Sequence, residues 1–325
     1  MHTELEVEAT PADRPTFGLP VDTRILFATQ KGVYKPSIEK SRTKLLRKLS
    51  FLAHFLDADE TIVFVTTGCS PFTAFEQLTV GVGLVVLLKR ALFVFTNKRL
   101  LHIPTTRTFR YRGSIAQILY QDCRRLHVQG GRLIAEYHNG GKERFLYIPR
   151  RDRKIIQRFQ FASNESNRRS ENPQRNHLCP NCTQVLPART VACPSCGLEF
   201  KSRAKALTWS LLLPGGGYFY TGHPLLGACD ALGEAWLLIL NLVVLCAGLR
   251  GDAEAMATLP VLLGALALEK VGTVHHSNSF LKEFLPEDRQ ALPSGRSAPR
   301  TQPEQPPLPA PPEAKRRPEE ILSVR

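Results

Sequence analysis

Apolar residues recur along this chain with three different rhythms, and the changes of rhythm mark its organisation. From Ile38, the residues Leu45, Leu49, Leu52 and Leu56 follow at spacings of seven, four, three and four, which is one face of a helix. Ser37, after Pro36, is the expected N-cap. Lys40, Arg42, Lys44, Arg47 and Lys48 share the other side, so residues 37–56 read as a basic amphipathic helix. Such a helix either packs on its own domain with a solvated basic face or lies on an anionic membrane surface. Residues 1–36 carry Pro11, Pro15 and Pro20 with little periodicity and read as a flexible leader. Their start is acidic and polar, without the apolar core of a secretory signal.

From residue 60 the rhythm shortens. Thr61–Thr67, Leu84–Thr96, Arg99–Ile103, Thr106–Tyr111, Arg124–Gln129, Arg132–His138 and Glu143–Ile148 are β-rich runs and predict about seven strands. Gly130-Gly131 and Asn139-Gly140 separate the last three, in the turn chemistry of short hairpins. Ile155, Ile156 and Phe159 then line one side of a closing helix over Arg150–Phe161. The apolar run Leu78–Leu88 is too short to cross a bilayer as a helix. It reads as a buried strand plus loop, or else as an apolar edge dipping into a membrane with Lys89 and Arg90 at headgroup level. The run Phe95-Thr96-Asn97-Lys98-Arg99-Leu100-Leu101, with the Gly130-Gly131 hairpin and the closing helix, resembles bacterial PH-like (GRAM-like) domains over residues 57–162. That resemblance implies a split barrel of seven strands capped by a helix, serving membranes or protein partners. Lys89, Arg90, Lys98 and Arg99 are its candidate binding residues.

Residues 163–176 are a polar linker, and after it the chemistry sharpens. Cys179-Pro180-Asn181-Cys182 and Cys193-Pro194-Ser195-Cys196 form two C-x2-C pairs separated by ten residues. Each pair sets two thiolates on a tight turn whose amides can point at sulfur. Two pairs supply a tetrahedron at about 2.3 Å from Zn²⁺. The arrangement resembles a short zinc ribbon over 177–200. Four sulfurs leave no open coordination position, so the metal is expected to be structural, and about twenty residues without a core of their own should need it to fold. A redox C-x-x-C and an iron–sulfur site are the weaker readings. The formal net charge of +14 raises nucleic acid as a partner, but Arg189 alone is basic between the first and last Cys, and no aromatic residue lies there to stack on a base.

The third rhythm is no rhythm at all. Within a membrane region over 206–274, Ala235–Leu249 and Met256–Leu268 are uncharged apolar runs. With their neighbours they make spans over about 228–249 and 254–273, joined by a turn at Arg250-Gly251-Asp252. The competing reading is a helical hairpin buried in a soluble domain. Leu213–Gly222 resembles the glycine-rich turn of small TM2-like membrane proteins, which implies close packing beside the spans. Lys201, Arg203 and Lys205 before the spans, and Lys282, Arg289 and Arg296 after them, put both ends in the cytoplasm, at the inner membrane if the chain is bacterial. Asp230 and Glu234 lie four apart on one helix face and are the intramembrane polar candidates, at the interface or paired with His223.

Residues 286–325 hold ten prolines and read as a disordered Pro-rich tail. No nucleophile elbow, H-E-x-x-H, P-loop or dinucleotide fingerprint is present, so no enzyme is expected. The fold expected is therefore multidomain: a mostly-β PH-like split barrel with its helix, a small zinc ribbon, an α-helical transmembrane hairpin and the tail. The function expected is that of a membrane-anchored, cytoplasm-facing adaptor with a protein partner and an anionic lipid as a further candidate. A channel or transporter component with a soluble sensor, and a membrane-tethered nucleic-acid binder, are the alternatives.

Overall fold

A computed structural model describes residues 16–159 and 173–288. Residues 1–15 of the expected leader, residues 163–172 of the linker and residues 289–325 of the Pro-rich tail lie outside the described residues. Residues 16–35 of that leader are packed rather than loose. Asp22 caps a short helix, α1 (Thr23–Leu26), accepting from the amides of Arg24 and Ile25. Leu19, Leu26 and Phe27 are buried in the main core.

Helix α2 (Pro36–Leu46) has Lys35 rather than Ser37 as its N-cap, because Pro36 suits the first helical position, where an N–H has no partner anyway. The helix tightens into 3₁₀ turns over Arg47–His54. Leu46, Leu49 and Leu52 are fully buried, as the spacing predicts. Arg42, expected on the solvated face, is buried instead and donates to Asp152 at 2.6 Å.

The β-rich stretch folds as β1 (Ile62–Cys69), β2 (Arg90–Thr96), β3 (Arg99–Pro104), β4 (Ile115–Leu119), β5 (Cys123–Gln129), β6 (Arg132–Tyr137) and β7 (Lys142–Phe145), then helix α5 (Arg150–Ile156) and a further strand, β8 (Asn176–Leu178). Among the described residues these make two antiparallel sheets, β1-β2-β3-β4-β8 and β5-β6-β7. Val65 faces Val94, Val94 faces Leu101, and Leu100 faces Ile118. Cys69 and Leu146 exchange two backbone hydrogen bonds, at 2.8 and 3.1 Å, tying the edge of β1 to the chain leaving β7. Phe64, Phe93, Phe95 and Phe145 fill the space inside, all but inaccessible to solvent. Gly130 and Gly131 both have positive φ, the geometry a two-residue hairpin requires.

Three expectations in this stretch are corrected. Thr106–Tyr111 is a tight turn closed by a single bridge between Thr105 and Tyr111, not a strand. The strand expected from Leu84 begins only at Arg90. Leu78–Leu88 is not a strand. It belongs to two short helices, α3 (Ala74–Val80) and α4 (Val82–Leu88), broken at Gly81 with φ +81°, and of its described side chains Val85 is buried while Leu78, Val82, Leu84 and Leu87 are exposed. Thr73 and Glu76 form a reciprocal capping box that starts α3 and overrides the β preference of the valines after it.

The membrane region holds α6 (Arg203–Leu212), α7 (Gly216–Tyr220), α8 (Pro224–Leu249) and α9 (Ala253–Leu281). Helices α8 and α9 are longer than the spans expected from composition, about 39 and 44 Å at 1.5 Å per residue. Both are long and apolar enough to cross a membrane, and only 11% and 6% of their apolar windows are buried within the chain. A hairpin in the core of a soluble domain would be mostly buried, so the exposure favours a membrane surround.

Helix α6 is too short to span a bilayer. Its ten residues reach about 15 Å, half a hydrocarbon core. The chain then turns at Pro214-Gly215 and comes back through α7. The Ser202 amide donates to the Tyr220 hydroxyl at 3.0 Å, so both ends of this excursion meet at one level. The returning turn is packed too closely for side chains. A Cβ on Gly215 would overlap the carbonyl of Gly227, and one on Gly217 would overlap the hydroxyls of Ser210 and Ser277.

Candidate functional site

The four ribbon sulfurs converge. Cys179 and Cys196 Sγ are 3.5 Å apart, Cys182 and Cys193 Sγ are 3.6 Å apart, and all four lie within 4.8 Å of one another. Thiolates in a tetrahedron about 2.3 Å from a metal sit about 3.8 Å apart, so the four are close enough to hold an ion. The two knuckles repeat one backbone pattern. The amide of residue 183 or 197 donates to the carbonyl of Cys179 or Cys193, and each of these cysteines donates its own amide to residue 184 or 198. This closure needs a left-handed residue at its end. Gly197 supplies it in the second knuckle with φ +74°, and Thr183 is forced into it in the first with φ +62°. Backbone N–H groups of Asn181 and Cys182 point at the Cys179 sulfur, that of Gln184 at Cys182 and that of Leu198 at Cys196. Burial pushes the Cys182 thiol up to about 11, which a metal must overcome by displacing the proton. For Cys196, where burial opposes ionisation less, the Leu198 amide and the Asn181 side chain hold the thiol down at about 7.

The ribbon is built into its neighbours. Strand β8 leads directly into Cys179 and pairs with β4, Ile115 facing Leu178. On the far side, Phe200 bridges to Pro286, the Lys201 amide donates to Leu285, and the Glu287 amide donates to Glu199. Phe284 packs its ring edge-on to Phe200 and tilted against His177. The thiolate cluster therefore lies between the edge of the larger sheet and the chain that leaves α9.

Further buried polar ties join sheet and membrane helices. Lys89 pairs with Glu76 at 3.0 Å and donates to Ser279 near the end of α9 at 2.9 Å. Arg112 shares a 2.8 Å contact with His223 and donates to the Thr221 carbonyl at 3.1 Å. Arg175 lies between Glu143, at 3.2 Å, and Glu283, at 3.5 Å, and donates to His102 Nδ1 at 2.9 Å. With Nδ1 accepting, His102 is neutral and donates its Nε2–H to Ser70 at 2.9 Å.

This junction is expected to weaken in acid. Burial drives His102 from 6.5 down to about 3. A base held below its unfolded value stabilises the fold only above that value, so stability falls as pH drops below about 6.5. Burial also opposes the charge of Glu283, yet Arg175 beside it holds its carboxyl down at about 2; Glu76, likewise buried, is held at about 2 with Lys89 as the main cause. Their stabilisation is full above about 4.5 and is lost as pH falls toward 2. Between pH 6.5 and 5 the His102 contribution alone is roughly 2 kcal/mol. Thermal melting at the two pH values should show that drop, and His102→Asn should reduce it without abolishing it, because His177 in the same junction is also held down by burial, at about 4.

The four basic binding candidates all have partners in the chain. Lys89 is buried on Glu76. Arg90 donates to the Arg107 carbonyl at 2.6 Å and sits over the Phe109 ring. Lys98 reaches Asp57 and Asp59 at the surface. Arg99 is buried and grips Glu60 through two hydrogen bonds, at 2.9 and 2.7 Å, while also donating to the Phe55 carbonyl at 2.6 Å. Arg99→Ala would strand the fully buried Glu60, at an expected cost of about 3–5 kcal/mol in thermal unfolding.

Asp230 and Glu234 do not meet His223. Glu234 pairs with Lys270 and accepts from the Gly215 amide at 3.2 Å, while Lys270 also donates to the Ser210 carbonyl at 2.7 Å. Asp230 and Glu269 share the Thr273 hydroxyl at 2.9 and 2.8 Å. The turn after α6 breaks the helical ladder, and the backbone groups it frees need partners inside the protein. The Glu234–Lys270 pair satisfies one from each side of that turn. Glu269 and Lys270, at the end of an apolar run, escaped the sequence reading; two adjacent opposite charges there were the available sign.

A separate cleft of about 560 Å³ lies between α2 and α5, with Lys35, Arg150, Arg151 and Lys154 at its walls. Its acid, Asp152, is already engaged by Arg42 and by Thr66, each at 2.6 Å.

No protein-family model matches the chain, and no curated protein and no solved structure is significantly similar to it.

Proposed function

We propose that the chain is a membrane-anchored adaptor that holds a PH-like β unit on the cytoplasmic side for a protein or lipid partner. The observation that carries this reading is the junction. The β unit is tied to α9 by buried hydrogen bonds of Glu76 and Lys89 with Ser279, to the start of α8 by Arg112 on His223, and to the segment after α9 by the Arg175–Glu283 ion pair, rather than by a flexible link, which suits a platform that must present one surface at a set height. Two antiparallel sheets followed by a helix support the PH-like reading. The positive charges flanking the spans, and an excursion that returns to the level where it began, support cytoplasmic ends. Zn²⁺ fits the four thiolates best. Cys179, Cys182, Cys193 and Cys196 would hold it, and it would supply order to the ribbon rather than chemistry. The cleft rimmed by Lys35, Arg150, Arg151 and Lys154 is the recognition surface, suited to an acidic protein segment or anionic headgroup.

Proximity labelling with the full chain in cells tests this. A defined set of membrane-proximal neighbours should be recovered, and charge reversal at Lys35, Arg150 and Lys154 together should lose most of it without altering membrane retention. An unchanged set would remove the cleft from the proposal. A role in transport would instead require the hairpin acids for flux; Asp230→Asn with Glu234→Gln separates the two readings, because an anchor keeps its partners when both charges are gone.

A further inference from the structure

Between β1 and β2 the chain leaves the sheet for α3 and α4, and these two helices turn Val85 inward but several large apolar side chains outward. Leu78 is 84% exposed, Val82 44%, Leu84 36% and Leu87 39%. Over residues 74–88 the one charged side chain is Glu76, and it is turned inward and buried. A solvated loop has no use for such a surface, and the break at Gly81, with open space around it, makes it the tip of a small hairpin.

The base of this hairpin is fixed to the membrane helices. Glu76, in the first turn of α3, accepts from Ser279 at 2.5 Å. Lys89, directly after α4, pairs with Glu76 and donates to the same Ser279. Lys89 also lies over the Phe280 ring, 5.1 Å from its centre. Both feet of the hairpin thus stand on the last turn of α9. Upstream, α9 exposes Leu268 and Val271; downstream, Lys282 is the first exposed charge. The water–lipid boundary therefore falls between Val271 and Lys282, in the stretch that carries the exposed His275 and the buried Ser279, where the hairpin is rooted. Each arm is seven residues, about 10 Å, matching the depth of about 5–10 Å to which interfacial helices sink. The Lys89 charge, which the sequence suggested for headgroups, is instead consumed in holding the base.

We propose that α3 and α4 form a membrane-dipping hairpin whose apolar tip, Leu78 with Val82 and Leu84, enters the acyl-chain layer of the leaflet in which α9 ends. This rests on α8 and α9 spanning the bilayer. It adds a third point of contact, which would fix the tilt of the β unit and not merely its distance from the membrane.

The test places a photoactivatable diazirine amino acid at Leu78, Leu232 or Val33 of the full chain in vesicles of phosphatidylethanolamine and phosphatidylglycerol, with adducts identified by mass spectrometry. Leu232 lies exposed on α8 and Val33 is exposed on the β unit. Lipid adducts are expected at Leu232 and Leu78, with at least tenfold less at Val33. Lipid at Leu232 with only background at Leu78, or a protein adduct at Leu78, overturns the hairpin while leaving the spans intact. Background at both Leu232 and Leu78 removes the spans and the proposal with them. Leu78 sits at an exposed tip, so the substitution leaves the core untouched, and an unchanged thermal unfolding midpoint confirms that the variant has folded.

Discussion

Stripping the metal with a chelator, or replacing one ligand with Cys193→Ser, is expected to unfold residues 177–200 while β1 to β7 stay folded. Apart from its cysteines, the ribbon buries little more than Leu186 and Phe200, far too small a core to order itself. Apparent binding energies of about 10–16 kcal/mol for structural zinc sites show how much of such a fold the ion supplies. The loss should not stop at the knuckles. Strand β8 runs straight into Cys179, and the segment after α9 is clasped by Phe200 and Lys201. Amide exchange should therefore rise together in residues 176–200 and 284–287, and metal content should fall from one ion per chain to none. Protection that survives in β8 after complete metal loss would mean that the sheet edge, not the ion, orders this region.

Lys270→Met is expected to cost about 3–5 kcal/mol in the membrane region, because the buried Glu234 would lose the cation paired with it. Glu234→Gln combined with Lys270→Met should recover at least half of that loss. Glutamine can still accept from the Gly215 amide, and the Glu234 carboxylate is removed together with its cation. Thermal melting of the reconstituted protein, read as a double-mutant cycle, measures this coupling. If the pair served only a passing ion and not the backbone turn, the single variant would melt as the parent chain does.

What could be read from the sequence was what is local. The C-x2-C pairs set their sulfurs by spacing within two tight turns, so Cys179, Cys182, Cys193 and Cys196 were legible before any fold was known. The two apolar helices were legible for the same reason, their length and composition being properties of single segments. Strand β8 was not, since three residues carry no periodicity and depend on β4 for their conformation. Strand β4 fell between two better-marked runs. The misreading of Leu78–Leu88 is the more instructive. Its Val-rich composition favours strand, but Thr73 three residues ahead of Glu76 is a helix-start signature, and it outweighed composition. Lys89 and Arg99 looked like free cations because their partners, Glu76 and Glu60, are 13 and 39 residues away in sequence. Charge in a sequence marks a binding surface only when the fold leaves it unpaired.

Cysteine accessibility from the outside of intact cells tests membrane crossing and orientation together. Glu254→Cys places a thiol at the turn between α8 and α9, and Val33→Cys places one on the β unit; both positions are exposed. A membrane-impermeant maleimide should label position 254 in intact cells and position 33 only after lysis. Labelling of position 33 in intact cells, or protection of position 254 until lysis, would contradict a cytoplasmic platform held by two spans.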